Sequence, residues 1–488
     1  MTNRPADTKS GLGYFEPLSH LDASFLALES PNTHMHVGAV VQFEAAGLQN
    51  SDSGINIDRI KAHIAGKLKY IPRYRQRLAF VPATRRPVWI DDDHFNFDYH
   101  VRHTSLPRPG TDEQLKLLAG RIVSQQLDRA KPLWELWVVE GLDNDRFGII
   151  AKIHHCMIDG VSGIDLTGIL LNVIPTSGVE PPGHWTPRPS PSGAQLAVAE
   201  AARATRRTVD TMTSLRKLAG QSRELAFTLA GRTFAAMNSL GSGWLSTASR
   251  TPLNPDLGPN RRVDWTENSL ADVKRIRHAL GVSVNDVLLA VVSGALRSFL
   301  RDIRGFDVDG IEFRAMVPVS TRLEDQQGAL GNHVAMWLVT LPVSEPEPLR
   351  RLQMVHEETT RLKKTNQAMG AATLIELSRG TPLTLISVAN RVVGPMMRPF
   401  NLTVTNVPGP QFPMYLLEAK MIASYPIVPL WSQHGLGLAI FSYDGTLHWG
   451  VHADFDAIPD TDQITKAIGA SVRELLEAVP DGGAKSSR

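Results

Sequence analysis

One short stretch in the first third of the chain sets the strongest limits on the fold. An apolar run over residues 149–153, Ile-Ile-Ala-Lys-Ile, leads directly into His154 and His155, and Asp159-Gly160 follows after three further residues. Apolar runs bounded by turn residues are typical of buried strands, and Asp-Gly is a strong turn signal. The pattern therefore predicts histidines at the end of a buried strand, where a scaffold presents reactive side chains in the following loop.

The residue types in this stretch suit general-base catalysis. A neutral imidazole takes up a proton near pH 7, and a nearby carboxylate can hold the ring or the loop in place. A metal site is the weaker interpretation, because adjacent side chains of a strand point to opposite faces and the two histidines diverge. The same divergence disfavours a nucleophilic pair of His155 with Cys156, the only cysteine of the chain.

Local patterns predict strands and helices without a strict βαβ order. A hairpin is expected to join strands over residues 134–140 and 147–153, and a helix over residues 161–173 follows the histidine motif. Helices over residues 269–280 and 283–300 each begin with a serine cap, and a third is expected to begin at Asp58. Helices mixed with hairpins favour an α/β fold with mixed sheets over a Rossmann arrangement.

Length and composition limit the class of protein. A chain of 488 residues exceeds the usual single-domain size, so two domains are expected. A net charge of +2 gives no argument for nucleic acid as a partner, and one cysteine fits a reducing cytoplasm. The polar N-terminus shows no secretory signal, and no apolar run reaches about 18 residues. A bilayer-spanning helix is therefore not expected.

The middle of the chain changes composition twice. Six prolines fall between positions 175 and 191 among small polar residues, which is typical of a linker. Residues 194–240 are rich in Ala, Arg and Leu, with apolar side chains near helical spacing and an excess of basic ones. Such a helix either lies on an anionic membrane surface or packs as a connector on the enzyme body.

The order His-His-x-x-x-Asp-Gly resembles the motif of CoA-dependent acyltransferases with the chloramphenicol acetyltransferase-like fold, and that of peptide-synthetase condensation domains. Further strings resemble the bacterial wax ester synthase/acyl-CoA:diacylglycerol acyltransferase family, in family order over most of the chain. They are PLSHLDASFL at 17–26, MHVG at 35–38, PLWE at 132–135, NDVLLA at 285–290, VPVSTR at 317–322, GN at 331–332 and NVPGP at 406–410.

This resemblance implies two chloramphenicol acetyltransferase-like subdomains with the active site in a channel between them. Residues 1–185 would form the N-terminal subdomain that carries the histidine motif, and residues 261–480 the C-terminal subdomain. Residues 186–260 would supply the Pro-rich linker and the basic helical connector. Residues 481–488 would form a disordered tail.

The resemblance also implies roles for the motif residues. His155, the second histidine of the pair, would be the general base that takes the acceptor hydroxyl proton and returns it to the departing CoA thiolate. His154 and Asp159 would complete the catalytic motif. In related folds the motif carboxylate pairs with an arginine, which makes Asp159 an architectural residue with Arg322 as its candidate partner. Breaking such a buried pair costs about 3–5 kcal/mol.

Three further residues outside the histidine pair are expected at the site. Asn285 either donates its amide to the oxyanion or caps the backbone of its own helix. Gly160 is expected in substrate binding, because it allows a close approach that a side chain would block. Asn332 is the second substrate-binding candidate. No metal and no cofactor are expected, since acyl-CoA is a substrate.

The function implied by the resemblance is transfer of a long-chain acyl group from CoA to diacylglycerol, to a long-chain alcohol, or to both. The enzyme is expected to be cytoplasmic and attached peripherally to the inner membrane or to lipid bodies, without a nucleic-acid partner. Two alternatives stay open. One is a condensation-domain-like acyltransferase with carrier-bound substrates, and the other is a non-catalytic lipid-body-binding protein.

Overall fold

The computed structural model places two six-stranded sheets and one three-stranded sheet, with helices packed against them. This mixture of sheets and helices confirms the predicted α/β class with mixed sheets. The part of the chain that the structure describes comprises residues 13–51, 54–82, 84–157, 166–203, 205, 247–320, 334–364 and 398–479.

The helices and strands of the two halves follow each other in this order. The first half contributes β1 (Glu16–Pro17), α1 (His20–Leu28), β2 (His36–Glu44), α2 (Ile57–Lys67), β3 (Gln76–Phe80), β4 (Pro87–Asp91), α3 (Phe97–His100), β5 (Val101–Ser105), α4 (Asp112–Ser124), β6 (Trp134–Leu142), β7 (Arg146–His154) and α5 (Leu166–Leu170). The second half contributes β8 (Arg261–Ser269), α6 (Leu270–Leu280), α7 (Val284–Ser298), β9 (Arg314–Ser320), β10 (Val334–Thr340), α8 (Pro348–Lys364), β11 (Leu402–Pro408), β12 (Tyr415–Leu416), β13 (Ala419–Ile427), β14 (Leu436–Tyr443), β15 (Thr446–Asp454) and α9 (Thr461–Ala478). A further helical stretch occupies residues 193–203.

Strand β7 lies inside the N-terminal sheet and ends at the first histidine of the motif. It pairs antiparallel with β6 on one side, which confirms the predicted hairpin, and antiparallel with β2 on the other. Nearly all of its residues are buried, because both faces of the sheet are covered. The long apolar run before the histidines therefore follows from burial on two sides.

The N-terminal sheet is completed by a strand from the far end of the chain. Its order is β12-β13-β2-β7-β6-β5, so β13 of the second half pairs antiparallel with β2 of the first. The other six-stranded sheet has the order β10-β9-β11-β14-β15-β8 and consists of second-half strands alone. The two halves are therefore joined by shared backbone hydrogen bonds as well as by packing.

Helix α4 and strand β8 form a second junction between the halves. The backbone N–H of Arg261 in β8 donates to the Ser124 hydroxyl at the end of α4, over 2.8 Å. Lys116 in α4 forms an ion pair of 2.7 Å with Asp264 in β8. Gly120 allows the helix to approach closely, since a Cβ atom there would lie only 2.8 Å from the Arg261 carbonyl oxygen.

Capping residues fix the beginnings of several helices. Ser269 and Ser283 cap α6 and α7 as predicted, each accepting a hydrogen bond from the backbone N–H three residues later. The predicted cap of α2 at Asp58 is wrong. The helix begins one residue earlier, and the side chain of Asn56 accepts from the backbone N–H of Arg59.

Residues 175–191, the Pro-rich stretch, contain no helix or strand, yet they are bound along the first half. The Arg188 guanidinium forms two hydrogen bonds to Asp91, which is buried. Earlier in the stretch, Glu180 accepts from Lys67 over 2.5 Å. The guanidinium of Arg75 lies over the Trp185 ring, 4.9 Å from the centroid of that ring.

Among the described residues, no single helix is long and apolar enough to cross a membrane. Two consecutive helices, α6 and α7 extended to Ile303, meet the required length and composition together, with a bend of 107° between them. Residues 206–246, which include most of the predicted basic helix, lie outside the described residues.

Candidate active site

His155 stands in a short turn, His155–Met157, directly after β7. Its backbone N–H donates to the carbonyl of Met35 over 2.7 Å, which ties the turn to the segment that leads into β2. The ring stacks on Phe25 of α1 with a centroid distance of 4.0 Å and an interplanar angle of 27°. Backbone and ring are thus held independently, and the imidazole has a defined orientation at the strand end.

The surroundings of His155 favour its neutral form. Burial, because an imidazolium there would lose its water, and a smaller effect of the neighbouring His154 together lower the pKa of His155 to about 4. Its Nδ1 atom is fully buried and has no hydrogen-bond partner. The side chain as a whole is only half-buried. A neutral imidazole with a basic nitrogen is therefore available at neutral pH.

His154 points away from His155, as expected for neighbours at a strand end, and is 1% exposed. Its Nδ1 accepts the backbone N–H of Cys156 over 3.1 Å, which places the ring proton on Nε2. That Nε2 lies 3.2 Å from Oε1 of Glu29, off the ideal line of a hydrogen bond. Both ring nitrogens therefore face groups of the protein, and His154 has no nitrogen free for a substrate.

Glu29, just after α1, is a buried carboxylate that sequence analysis did not find. Its side chain is 1% exposed and accepts from the backbone N–H of Met35 at 2.9 Å and from Arg129 Nε at 3.2 Å. Burial raises its pKa, but the contacts with His154 and Arg129 outweigh this and hold the pKa well below the usual range. Glu29 is thus ionised beside the histidine pair.

Cys156 lies within the apolar core of the first half and is 2% exposed. Burial raises the pKa of its thiol well above the ordinary value, so the thiolate form is disfavoured. The buried thiol agrees with the interpretation that a covalent cysteine route is the weaker one.

The remaining predicted residues fall in two groups. Asp159, Gly160, Arg322 and Asn332 lie outside the described residues, and their roles stay predictions. Asn285 is described, half-buried in the first turn of α7.

Capping at the start of α7 does not involve Asn285. Ser283 accepts the backbone N–H of Asp286, and the Asp286 carboxylate accepts the backbone N–H of Ser283 in return. The cap is therefore complete without the Asn285 amide, which removes one of the two predicted uses of that side chain. Among the described residues no hydrogen bond joins Asn285 to either histidine.

Three aromatic side chains extend from His155 onto the second half. Phe25, which stacks on His155, has its ring 6.5 Å from that of Trp431, and the Trp431 ring is 6.3 Å from that of Phe400. We call Phe25, Trp431 and Phe400 the aromatic bridge. Phe400 packs with Met316 of β9 and other apolar side chains of the C-terminal sheet. Phe25 is part of the PLSHLDASFL string, but periodicity alone did not mark it as a contact of His155.

Other histidines lie near the junction of the halves. His34, His36 and His452 line a small closed cavity together with Lys152 and Arg261, with room for about one water molecule. Within the described ranges, no group of three or more His, Cys, Asp or Glu side chains is arranged to hold a metal ion.

Solved structures of other proteins share this fold. The wax ester synthase/diacylglycerol acyltransferase from Marinobacter aquaeolei VT8 has a TM-score of 0.66 and 23% identity, covering 95% of this chain and 99% of that chain. The TRI3 trichothecene 15-O-acetyltransferase from Fusarium sporotrichioides has a TM-score of 0.60 and 12% identity, covering 96% and 97%. These likenesses confirm the predicted chloramphenicol acetyltransferase-like fold.

Sequence comparison gives the family. The model of the wax ester synthase/diacylglycerol acyltransferase catalytic domain matches residues 18–288, and that of the WS/DGAT C-terminal domain matches residues 330–476. A protein of Mycobacterium tuberculosis strain H37Rv, named probable diacylglycerol O-acyltransferase tgs1, is 30% identical over 94% of this chain and 95% of its own. The chain belongs to the wax ester synthase/diacylglycerol acyltransferase family and is an acyltransferase.

Proposed function

We propose that this acyltransferase moves a long-chain acyl group from CoA to the hydroxyl of diacylglycerol, with a long-chain alcohol as a second acceptor. The observation that carries the proposal is a neutral, stacked His155 at the end of β7, beside a row of aromatic rings that spans both halves. The mycobacterial relative named as a diacylglycerol O-acyltransferase supports diacylglycerol as the acceptor. The Marinobacter protein, named for both activities, supports the alcohol.

His155 would act as the general base of this transfer. Because its Nδ1 is buried, Nε2 is the nitrogen that a substrate can reach. Nε2 takes the acceptor hydroxyl proton as the oxygen attacks the thioester carbonyl, and a tetrahedral oxyanion forms. Collapse of the oxyanion breaks the carbon–sulfur bond, and the CoA thiolate takes the proton back from the imidazolium. Such assistance is worth about 10²–10⁴ in rate.

The oxyanion needs a donor, and Asn285 is our candidate. Its amide is half-buried and is not used by the α7 cap, so its N–H₂ group is available. Gly160 and Asn332 are proposed in substrate binding. Asp159 is proposed to pair with Arg322 and hold the loop after His155 in place.

The apolar side of the site suits a lipid. The aromatic bridge surrounds one side of His155 with apolar rings, so an acyl or alcohol chain bound along it would exclude water from the thioester. Exclusion of water favours transfer to an alcohol over hydrolysis of acyl-CoA.

The setting of the enzyme is proposed from the sequence. We propose a cytoplasmic enzyme of two acyltransferase subdomains, residues 1–185 and 261–480, joined through residues 186–260. Basic residues of the 194–240 segment would attach it peripherally to an anionic membrane or lipid-body surface, at about 1 kcal/mol for each Lys or Arg. Acyl-CoA serves as a substrate, and no cofactor or metal takes part.

The test is incubation with labelled palmitoyl-CoA and a mixture of diacylglycerol and hexadecanol, with products separated by chromatography. Both esters should form with wild-type protein, and His155→Ala should lower both by about 10²–10⁴ while acyl-CoA still binds. His278→Ala is the matched control, because that histidine is exposed on α6. Near wild-type turnover by the His155 variant would refute the base assignment, and absence of both esters would refute the acceptor class.

A further inference from the structure

We propose that Glu29 is a positioning residue for His155, which it holds in place through Met35 and through His154. This inference rests on the proposed function, since it takes His155 as the base. Glu29 lies outside the histidine motif in the sequence, and it touches none of the reacting atoms proposed above. Its effect on the reaction would come from where it places the turn that carries the base.

The first contact runs through the backbone of Met35. Glu29 Oε1 accepts the Met35 N–H over 2.9 Å, and the Met35 carbonyl accepts the His155 N–H over 2.7 Å. One carboxylate oxygen and the main-chain position of the base are therefore separated by a single residue. A shift of Glu29 would be passed directly to the turn His155–Met157.

The second contact runs through His154. The Cys156 N–H fixes the His154 ring at Nδ1, and the protonated Nε2 faces the same oxygen of Glu29 at 3.2 Å. Because Cys156 belongs to the turn, the ring of His154 links Glu29 to the residue after the base as well as to the end of β7. We infer from this that the first histidine of the motif orients the strand end and the second does the chemistry.

A carboxylate is the group that suits this position. It accepts hydrogen bonds at both oxygens and donates none, and the groups of Met35, His154, Arg129 and Gln126 that face it are all donors. Oε1 faces Met35 and His154, while Oε2 accepts from Arg129 at 3.2 Å and from Gln126 at 3.2 Å. The Arg129 guanidinium compensates the buried negative charge of Glu29, so the carboxylate needs no substrate to balance it.

The size of the effect follows from the geometry of catalysis. A misplacement of about 1 Å at a reacting group costs about 10²-fold in rate. Glu29→Ala removes the acceptor for both contacts, so we expect kcat to fall about 10²-fold and the KM for acyl-CoA to change little. Asp98→Ala is the matched control, since Asp98 is an exposed carboxylate of the same half that pairs only with Lys61 in the described ion pairs.

A second pair of variants separates position from charge. In Glu29→Gln the amide nitrogen would face the Arg129 and Gln126 donors, and donors repel donors. The double variant Glu29→Gln/Arg129→Met removes the Arg129 donor, and the Gln oxygen still accepts from Met35 and still faces His154. We expect its kcat within about tenfold of wild type, well above that of Glu29→Ala. If the double variant loses as much kcat as Glu29→Ala, the charge of Glu29 matters and not its positioning of the turn.

The decisive experiment combines Glu29→Ala with His155→Ala in the full-length protein. If Glu29 acts through the base, the double variant is no slower than His155→Ala alone. Additive losses would overturn the proposal. High turnover by His155→Ala itself would refute the base assignment, which is a different outcome.

A spectroscopic measurement does not depend on activity. Two-bond ¹H–¹⁵N spectra, with His154 assigned from a His154→Asn variant, should show the Nε2-protonated tautomer in the wild type and in Glu29→Gln/Arg129→Met. Glu29→Ala should keep this tautomer, which the Cys156 N–H fixes, but shift the Nε2 resonance of His154, while the circular dichroism of the fold is kept. An unchanged His154 signal in Glu29→Ala would contradict the inference.

Discussion

Gly450 in β15 offers a sharp test of how the two halves are joined. A Cβ atom at this position would lie 1.8 Å from the carbonyl oxygen of Pro426 in β13. Carbon–oxygen contacts between strands are ordinarily about 3.3–3.6 Å, so Gly450→Ala requires the two backbones to separate by about 1.5 Å. Neither group is the tip of a flexible side chain, so rotation of a side chain cannot relieve the contact.

The expected effect concerns both stability and rate. Strand β13 pairs with β2, which pairs with β7, so a displaced β13 pulls on the sheet that carries His155. Overpacking in a core costs about 1–3 kcal/mol, and a shift of about 1 Å at the site costs about 10²-fold in rate. We therefore expect a lower melting temperature and a kcat reduced by up to about 10²-fold.

The assay is thermal unfolding followed by circular dichroism, together with ester formation from labelled acyl-CoA. Gly469→Ala is the matched control, because a Cβ atom there lies 3.6 Å from the nearest atom, in Arg473 of the same helix. In a helix that change should be neutral or stabilising by about 0.5–1 kcal/mol. If Gly450→Ala melts and turns over like the control, the close approach of β13 and β15 does not hold the halves together.

Three further predictions concern titration and the single thiol. Because the pKa of His155 is about 4, the kcat of the wild type should stay constant from pH 8 to 6 and fall only below about pH 5; a midpoint near 6.5 would contradict a buried neutral base. His100 is buried against Trp134, and burial lowers its pKa to about 4 from about 6.5 in the unfolded chain. Its contribution to the free energy of unfolding is therefore complete above pH 6.5 and falls by about 1.4 kcal/mol per pH unit as the pH drops towards 4. Urea unfolding at pH 7 and pH 5 should show a smaller difference for His100→Phe than for the wild type, and an equal difference would refute this. Cys156→Ala should keep kcat within about tenfold, and an inactive but folded variant would restore the covalent route.

The sequence predicts features that depend on near neighbours. The hairpin of β6 and β7 and the serine caps of α6 and α7 rest on patterns a few residues long, and each is confirmed. The α2 cap shows the limit of that kind of inference. Asn56 and Asp58 both suit a cap, and only the path of the chain decides between them.

Features that join distant parts of the chain were not predictable in this way. Glu29 and Arg129 are 100 residues apart, and nothing in the local pattern of either indicates the other. Lys152 shows the same limit, since it interrupts an apolar run without apparent reason. In the structure its ammonium donates to the carbonyls of Ile122 and Gln125 at the C-terminal end of α4, where the helix dipole favours a cation.

The pairing of β13 with β2 has a consequence for biosynthesis. Strand β2 is complete once Glu44 has been made, but its partner β13 begins only at Ala419, about 375 residues later, which is about 20–75 s at 5–20 residues per second. During that time one edge of the N-terminal sheet has no strand beside it, and an unpaired edge is a template for pairing with another chain. A nascent chain of this protein therefore depends, for most of its synthesis, on whatever covers the open edge of β2 at the ribosome.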